Sequence, residues 1–398
     1  MSIPIIERLD IIPQLTPAGT AALAIGLVLS DGYTAWGACV GDDVPATLAE
    51  ADNLLNQTVR IGLRGQPAES LGQMCGRWAH RTAITPRTEA VAPLAPQVAD
   101  PSRRQLLRGF QPESINPTET RTVLVDAPLP KALAYGVSQA CLHAAAHAHG
   151  RTPLAQWQVE LGMADTPVAA VPLMGDVAQV EPTAVLGQIS AVAYTVPAGD
   201  SAQLIGRDGA RLQAYVRQLG TWLGQTAAQQ PLIYVDVRGH LGTVYNHFAG
   251  KLLGAISGLE SSCTPHQLWL GDVALGPKAA EVLPSLRDFV RQRRLKTALV
   301  GRAPLGSVAA VRDWLTKGQV CHLEVWRFGS LAAVVEAVQV CRAAAVPVIL
   351  AGHGQETAAS AALLTDFALA AQPAFLYLPH PALAYNHQQQ RLAELNGR

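Results

Sequence analysis

The sequence has little net charge and few aromatic residues. Its 30 basic residues balance 30 acidic ones, and only 15% of the 398 residues are charged. This balance, with a pI near 7.2, argues against a protein that binds nucleic acid through a generally basic surface. Aromatic residues make up 5%, but hydrophobic residues as a whole make up 49%. That fraction excludes intrinsic disorder and provides material for a large core.

Membrane segments and cysteine motifs are also lacking. The most apolar early stretch, residues 21–29, is too short to span a bilayer and ends in Ser30-Asp31-Gly32. The first residues do not show the pattern of a signal peptide, which is a basic segment, then an apolar run, then a cleavage site of small residues. We therefore expect a cytoplasmic protein without membrane contact. The six cysteines contain no CxxC motif, so we expect buried, reduced thiols.

Residues 1–155 form one unit with mixed patterns. Residues 22–28 and 33–39 predict two strands joined by a hairpin turn at Ser30-Asp31-Gly32. The segment 81–130, rich in Pro, Arg and Thr, predicts irregular chain. Helical spacing of apolar residues appears at 47–55, 68–79 and 131–149. We interpret this unit as an α+β capping domain.

Residues 156–398 alternate short apolar runs with amphipathic helical patterns. The predicted strands lie at 168–173, 191–196, 232–237, 267–270, 297–300, 321–326, 347–350 and 374–378. Strands at this βα spacing predict a closed (β/α)8 barrel of the TIM type. A doubly wound open sheet is the alternative, but no GxGxxG motif follows an early strand. The predicted fold class is α/β, with the cap preceding the barrel.

In such barrels the chemistry lies at the carboxyl ends of the strands. That rule selects Asp176, Asp236, Arg238, Asp272, Arg302, His322, Glu324, His353 and Glu356. Because side chains alternate along a strand, Asp236 and Arg238 should share one face. By the same rule, His322, Glu324 and Trp326 should share a face of the sixth strand.

Polar side chains inside apolar strands are costly unless they are paired or functional. One interpretation is that Asp236 and Glu324 each pair with an arginine, such as Arg238, Arg302 or Arg327, in a buried ion network. The other is catalysis, in which His322 and His353 serve as general acid or base groups at neutral pH. For each histidine, a satisfied position in the core is the alternative.

A further pair of histidines lies on the predicted helix 131–149. His143 and His147 are four residues apart, a spacing from which two imidazoles can reach one metal ion. No third ligand accompanies them in the sequence, so we predict no metal site there.

The order of cap and barrel, and several short segments, resemble the enolase superfamily and, within it, methylaspartate ammonia-lyase. The resemblance covers residues 20–395. It is carried by the segments 27–37, 134–141, 209–219, 234–242 and 355–357. It implies the same cap-and-barrel fold and a pocket at the carboxyl ends of the barrel strands.

The resemblance also implies a magnesium ion held by three acids, one at the end of each of strands three, four and five. Here the first position is Asp236, and the second is Gly271, with Asp272 next in the sequence. The third is Gly301, with Arg302 next. Magnesium needs hard oxygen ligands, usually with carboxylates among them. One carboxylate beside a guanidinium is a poor magnesium site, so we predict none.

The pair of residues that transfers protons in the family is replaced as well. The family's lysine on strand six falls on Glu324, and its histidine on strand two falls on Thr195. Enolate chemistry then lacks both its acid-base residues and the metal ion that acts as its electrophile. This argues against methylaspartate ammonia-lyase activity. Charged residues nevertheless remain in the pocket. We assign catalytic roles to Glu324, His322, Asp236 and His353, and substrate-binding roles to Asp176, Arg238, Arg302 and Glu356.

Three functions remain open. The first is a metal-independent enzyme without a cofactor, lyase-like or transferase-like, in which Arg302 replaces the charge of the metal and holds an anionic small molecule. In it, Asp176 and Glu324 accept N–H groups of an amine or a pterin. Degenerate relatives of the lyase resemble proteins encoded with tetrahydromethanopterin pathway genes in C1-metabolising bacteria, which suggests cofactor biosynthesis.

The second function is a non-catalytic ligand-binding or scaffold protein with a partner protein. The third is a magnesium-dependent lyase with shifted ligands, Asp236, Asp272 and Glu324. Strand alternation argues against this third function, although Asp272 could lie beyond its strand. A homo-oligomer is expected by analogy with the superfamily.

Overall fold

The molecule has an N-terminal α+β region followed by a closed barrel of eight parallel strands, which confirms the predicted fold class. The computed structural model describes residues 3–16, 19, 21–90, 120–177, 187–227, 229–378 and 380–397. All six cysteines are buried, as expected. Among these residues, no helix is both long and apolar enough to cross a membrane. The predicted boundary between residues 155 and 156 stays a prediction.

The N-terminal region contains an antiparallel sheet in the order β1-β2-β3 and a two-stranded ribbon of β4 and β5. Its strands are β1 (Ile6–Leu15), β2 (Ala21–Leu29), β3 (Thr34–Cys39), β4 (Thr82–Ala90) and β5 (Thr120–Pro128). Its helices are α1 (Leu48–Gln57), α2 (Val59–Leu63), α3 (Leu71–Gly76), α4 (Lys131–Ala148) and α5 (Pro153–Glu160). Helix α4 packs on the sheet, where Gly37 and Gly136 permit a close approach of strand and helix.

The predicted hairpin is confirmed by β2 and β3, but two other predictions for this region were incomplete or wrong. Strand β1 was not predicted, because its half-exposed side chains and Pro13 show no regular alternation. The segment 81–130 was predicted to be irregular, yet it contains β4 and β5. In that ribbon Ile84 and Leu124 are 53% and 70% exposed, so no buried face creates a hydrophobic period. Residues 91–119 lie outside the described part.

The barrel strands follow one another around a closed ring, and we count them one to eight from β6 to β13. They are β6 (Leu173–Asp176), β7 (Ala191–Thr195), β8 (Leu232–Asp236), β9 (Leu268–Gly271), β10 (Ala298–Gly301), β11 (Val320–Glu324), β12 (Val348–Ala351) and β13 (Phe375–Tyr377). The helices are α6 (Ser201–Ile205), α7 (Ala210–Thr226), α8 (His240–Val244), α9 (Ala249–Cys263), α10 (Pro277–Gln292), α11 (Val308–Trp314), α12 (Leu331–Ala343), α13 (Ala358–Ala371) and α14 (Pro381–Asn396). A 3-10 helix, Val325–Phe328, follows β11.

All eight predicted strands are present, but two predictions of shared faces were wrong. Strand β11 ends at Glu324 and Trp326 lies in the 3-10 helix, so Trp326 does not continue the strand's alternation. Strand β8 ends at Asp236, and Arg238 has a φ of 46°, which turns the chain away from the strand direction. The first strand begins at Leu173, later than the predicted run 168–173.

Alternation along the barrel strands separates an interior layer from an outer layer. The interior is filled by a cluster that includes Tyr234, Trp269 and Val300 together with the small Ala191 and Ala193. The next inward positions, one step nearer the carboxyl ends, form the mouth of the barrel. They include Asp176, Thr195, Asp236, Gly271, Arg302, Glu324 and Tyr377.

Candidate active site

Arg302 lies at the centre of an ion network on one side of the mouth. Its Nη1 donates to Asp236 Oδ2 at 2.6 Å, and its Nη2 donates to Glu324 Oε1 at 3.0 Å. The other oxygen of Glu324 accepts from Arg327 Nη1 at 3.0 Å. Strands three and six, the loop after strand five and the 3-10 helix therefore meet in one network of alternating charges.

Burial and neighbouring charges set the protonation states in this network. Burial by itself would lower the pKa of Arg302, but Glu324 and Asp236 raise it above the ordinary value. Burial would raise the pKa of Glu324, yet the two guanidinium groups and His322 bring it below the ordinary value. Glu324 is therefore an ionised carboxylate at neutral pH and a weak base.

Asp272 positions the loop that carries Arg302. It follows β9 with a φ of 46° and is 3% exposed. Its two carboxylate oxygens accept the backbone N–H groups of Arg302 and Ala303, each at 2.9 Å. Burial, followed by the charge of Asp236, raises the pKa of Asp272 to about 6. Because both oxygens already bind backbone donors, Asp272 is a poor replacement ligand for a metal.

The two glycines at the family's remaining ligand positions face opposite ways. At Gly271 a Cβ atom would point inward and lie 2.5 Å from Tyr234 Oη. At Gly301 it would point outward and lie 2.5 Å from the ring of Trp314. The hydroxyl of Tyr234 thus takes the space of a side chain at the second position. Arg302, not Gly301, is the inward residue after strand five.

These residues do not fit a magnesium ion. The first ligand position offers the carboxylate of Asp236. The second offers no side chain, because Tyr234 fills the space beside Gly271, and the inward residue at the third is the guanidinium of Arg302. A cation 2.6 Å from Asp236 competes with any metal for that carboxylate. Within the described part of the chain, no three Asp, Glu, His or Cys side chains are grouped to hold a metal ion.

His322 lies one layer below Glu324 in the barrel interior. It is 1% exposed, and its Nδ1 is 3.1 Å from Tyr234 Oη. Its Nε2 is buried and has no hydrogen-bond partner among the described residues. Burial and the charge of Arg302 lower the pKa of His322 to about 3. The imidazole is therefore neutral at physiological pH and cannot serve as an imidazolium acid.

A second polar pair lies where strand eight meets strand one. Tyr377 Oη donates to Asp176 Oδ2 at 3.2 Å. Burial and the charge of Asp176 raise the pKa of Tyr377 above its ordinary value, so the phenol stays protonated. Asp176 was predicted, but Tyr377 was missed. The alternation of the predicted strand 374–378 was the available signal, because it places Phe375 and Tyr377 on one face.

His353 connects the barrel mouth to the cap. Its Nε2 is 2.9 Å from Asp42 Oδ1, in the loop after β3, and its ring meets the edge of Trp326 with centroids 4.8 Å apart. The carboxylate of Glu356 accepts the backbone N–H groups of His353 and Gly354. Glu356 therefore shapes the loop after strand seven, and His353 reaches the cap from it.

Arg238 follows strand three and is exposed to solvent. Its backbone N–H donates to Asp236 Oδ1 at 3.0 Å, while its side chain has no carboxylate partner in the described part of the chain. Its left-handed backbone directs it away from the strand face. Arg238 is thus available to an anionic group that approaches from solvent.

The eight predicted site residues all lie in the interior or at the mouth of the carboxyl half of the barrel, but they do not form one cluster. Asp236, Arg302 and Glu324 are in direct contact. Arg238 contacts this group through its backbone N–H, which donates to Asp236. The side chains of Asp176, His322, His353 and Glu356 have other partners. The predicted pairing with arginines is present at Arg302 and Arg327. Sequence reasoning missed Tyr234, Tyr377 and Asp42, whose roles depend on partners distant in the chain.

One histidine of the pair on α4, His147, contacts the hairpin. His147 Nε2 is 2.7 Å from Asp31 Oδ2, and its ring stacks on Tyr33 at 3.8 Å. The same contact lowers the pKa of Asp31. His147 therefore fastens the turn between β2 and β3 to the helix.

Comparisons with known proteins agree with this architecture. The family profile described as the methylaspartate ammonia-lyase C-terminus matches residues 181–387, more than half of the 398 residues. Methylaspartate ammonia-lyase 2 of Carboxydothermus hydrogenoformans is 24% identical over 288 residues, covering 68% of this chain and 69% of that protein.

Two solved structures share the fold at low identity. The crystal structure of β-methylaspartase from Clostridium tetanomorphum, a magnesium complex, matches with a TM-score of 0.75 and 16% identity over 99% of this chain and 100% of that one. A mandelate racemase/muconate lactonizing enzyme from Bordetella bronchiseptica matches with a TM-score of 0.62 and 16% identity, over 96% and 92%. The chain belongs to the methylaspartate ammonia-lyase family.

Proposed function

We propose that this chain is an enzyme that binds an anionic small molecule at the barrel mouth and acts on it without a magnesium ion. The observation that carries the proposal is the position of Arg302, whose guanidinium is fixed between Asp236 and Glu324. A permanent positive charge at this place can stabilise negative charge on a bound molecule.

Arg238 supplies the second contact for the anion. The terminal nitrogens of Arg302 each donate to a carboxylate, so this guanidinium cannot offer its full fork to a ligand as the sequence suggested. Arg238 has no such partner among the described residues. We therefore assign the bidentate contact to Arg238 and a supporting charge to Arg302.

The charges of the network favour a reaction that avoids an enolate dianion. An enolate formed from a carboxylate carries two negative charges, which a divalent ion stabilises well. One guanidinium that already faces two carboxylates stabilises such a dianion less than a divalent ion does. Glu324, a weak base, suits a proton that is already acidic, such as an N–H or O–H. A lyase-like or transferase-like step on such a group fits these residues.

The proposed substrate class is an anionic intermediate in the biosynthesis of a C1-carrier cofactor. Its support is the resemblance of degenerate relatives to proteins encoded with tetrahydromethanopterin pathway genes. Asp176 and Glu324 carry carboxylate oxygens that can accept pterin-like N–H groups. A cytoplasmic location and a homo-oligomer are parts of the same proposal.

Thermal unfolding with a panel of anionic pterins, their phosphate esters and aromatic carboxylates tests this function. We expect at least one compound to raise the Tm of the wild-type chain by about 2 °C near ten times its Kd, without added metal. The rise should be lost in Arg238→Ala. A response that survives this substitution, or turnover of 3-methylaspartate with magnesium, would overturn the proposal.

A non-catalytic scaffold is the second candidate. It is favoured by the internal satisfaction of the network, since Asp236, Asp272 and Glu324 all bind groups of the chain itself. Stoichiometric copurification of a partner protein, together with no turnover of any bound compound, would select it. Turnover of one panel compound would exclude it.

A further inference from the structure

We propose that the space between Asp236 and Glu324 is a preformed binding site for a planar cation, which the Arg302 side chain fills from within. Removing that side chain would leave a site that selects a free guanidinium ion over a divalent metal ion. The site rests on the fixed charge invoked in the proposed function, but testing it requires no substrate.

The two carboxylates are aimed at one planar group. Their oxygens lie 2.6 Å and 3.0 Å from the two terminal nitrogens of the Arg302 guanidinium. The side chains of Asp236 and Glu324 are only 1% and 11% exposed, so water does little to offset their charges. Without the Arg302 side chain, Asp236 would lose its cationic partner and Glu324 would keep only Arg327, which creates an affinity for a cation that reaches them.

Both carboxylates are also held by groups other than the Arg302 side chain. Asp236 Oδ1 accepts the backbone N–H of Arg238 at 3.0 Å, and Glu324 Oε2 accepts Arg327 Nη1 at 3.0 Å. The orientation of each carboxylate therefore has a second anchor. Truncating Arg302 leaves these anchors in place.

The main chain at residue 302 has its own support. Asp272 accepts the backbone N–H groups of Arg302 and Ala303, and Arg327 Nη2 donates to the carbonyl of Ala303 at 2.8 Å. None of these bonds uses the Arg302 side chain. We therefore expect Arg302→Ala to open a cavity of fixed shape rather than to collapse the loop.

The geometry selects the kind of cation. Two carboxylates that receive parallel N–H groups match a guanidinium, whose donors lie in a rigid plane. A divalent metal prefers more oxygen ligands in an octahedral or larger shell, and Gly271 and Gly301 provide none. Guanidinium should therefore bind better than Mg²⁺.

The test is thermal unfolding of Arg302→Ala in guanidinium chloride, magnesium chloride and sodium chloride at matched ionic strength. Guanidinium is used at about 20 mM, where its denaturing effect is small because that effect scales with concentration. We expect guanidinium to raise the Tm of Arg302→Ala by about 2 °C above the sodium control, and magnesium to raise it less. Wild type and the matched variant Arg238→Ala should show no such rise.

Three results would overturn the site: equal responses of wild type and Arg302→Ala, no guanidinium response in a folded Arg302→Ala, or a larger response to magnesium. If Arg302→Ala does not fold, the same titration is made with Arg302→Ala/Glu324→Gln, which leaves Asp236 as the one uncompensated carboxylate. A guanidinium response is expected there too, and its absence overturns the site. If Arg302→Ala responds to guanidinium but no compound of the anionic panel binds the wild-type chain, the cation site is supported and the proposed function is rejected.

Discussion

The two sides of the barrel mouth use their polar groups differently. At strands three, five and six, Asp236, Arg302 and Glu324 form direct ion pairs of 2.6 Å and 3.0 Å. At strands eight and one, the partly exposed Tyr377 and Asp176 are joined by a neutral-to-charged hydrogen bond of 3.2 Å. The first side is a network of ion pairs around two buried carboxylates, whereas the second is held by a hydrogen bond between partly exposed groups.

This difference separates stability from ligand recognition. Groups inside a closed network have few lone pairs or N–H donors left for a ligand, and breaking the network leaves a buried charge. Partly exposed groups cost less to change and can still contact a ligand. We therefore expect substitutions within the ion network to affect folding, and those at Tyr377, Asp176 or the exposed Arg238 to affect binding.

The largest effect is expected for Asp236→Asn. Asp236 is 1% exposed and pairs with Arg302, so loss of its charge leaves the guanidinium with one partner fewer. We expect a loss of about 3 kcal/mol in the free energy of unfolding, measured by urea denaturation. The matched variant on the other side, Asp176→Asn, should lose less than about 1 kcal/mol. Equal losses would remove the distinction between the two sides.

Gly271→Ala probes how tightly Tyr234 fills the network side. The added Cβ would lie 2.5 Å from Tyr234 Oη and 3.0 Å from its Cζ. Such overpacking should cost about 2 kcal/mol in the free energy of unfolding. Part of this cost should vanish when Tyr234→Phe removes the hydroxyl.

Gly254→Ala is the control for Gly271→Ala, because Gly254 lies in α9 and a Cβ there would meet nothing within 4 Å. It should leave stability unchanged or raise it, since alanine favours helix. If Gly271→Ala behaves like Gly254→Ala, Tyr234 does not block the second ligand position.

Much of the architecture could be predicted from the sequence, because the barrel repeats one pattern. Strands buried on both faces are continuous apolar runs, and the helices between them have a 3.6-residue period. The first polar residues after each run, such as Asp236 and Glu324, were identified in this way. The ribbon of β4 and β5 was missed because neither face is well buried.

The contacts within the site could not be predicted to the same extent. Arg302 and Asp236 are 66 residues apart in the chain, and only barrel closure brings them together. Positive φ angles at Arg238 and Asp272 redirect two side chains that strand alternation places elsewhere. Strand periodicity predicts side-chain direction only as far as the last residue of a strand, and the residues of the barrel mouth lie at or beyond that residue.

The pH dependence of stability distinguishes Asp272 from the rest of the network. Burial raises its pKa to about 6 from an ordinary 3.8, so the folded chain retains this proton where the unfolded chain has released it. The contribution of Asp272 to stability is therefore greatest below pH 4 and falls as the pH rises to 6. Between pH 4 and pH 6 we expect a fall of about 2 kcal/mol.

The measurement is urea denaturation of wild type and Asp272→Asn at pH 4, 5 and 6. Glu324, whose pKa is lowered, changes stability in the opposite direction with pH, so only the difference between the two proteins isolates Asp272. The difference should shrink towards pH 6. A constant difference would mean that the proton is not held by Asp272.

The smallest effect on global stability is expected where the mouth meets the cap. Asp42, whose side chain is 78% exposed, lies 2.9 Å from His353 Nε2, and exposed pairs of this kind contribute about 0.5 kcal/mol. Asp42→Asn should therefore leave the urea midpoint nearly unchanged, yet hydrogen exchange in residues 40–46 should become faster because the loop loses its contact with the barrel. Asp31→Asn, which loosens the hairpin turn at His147 instead, is the control and should leave that exchange as it is. If both variants exchange alike at 40–46, the loop is held by the Asp43 carboxylate, which accepts the first backbone N–H groups of α4, and not by the barrel mouth.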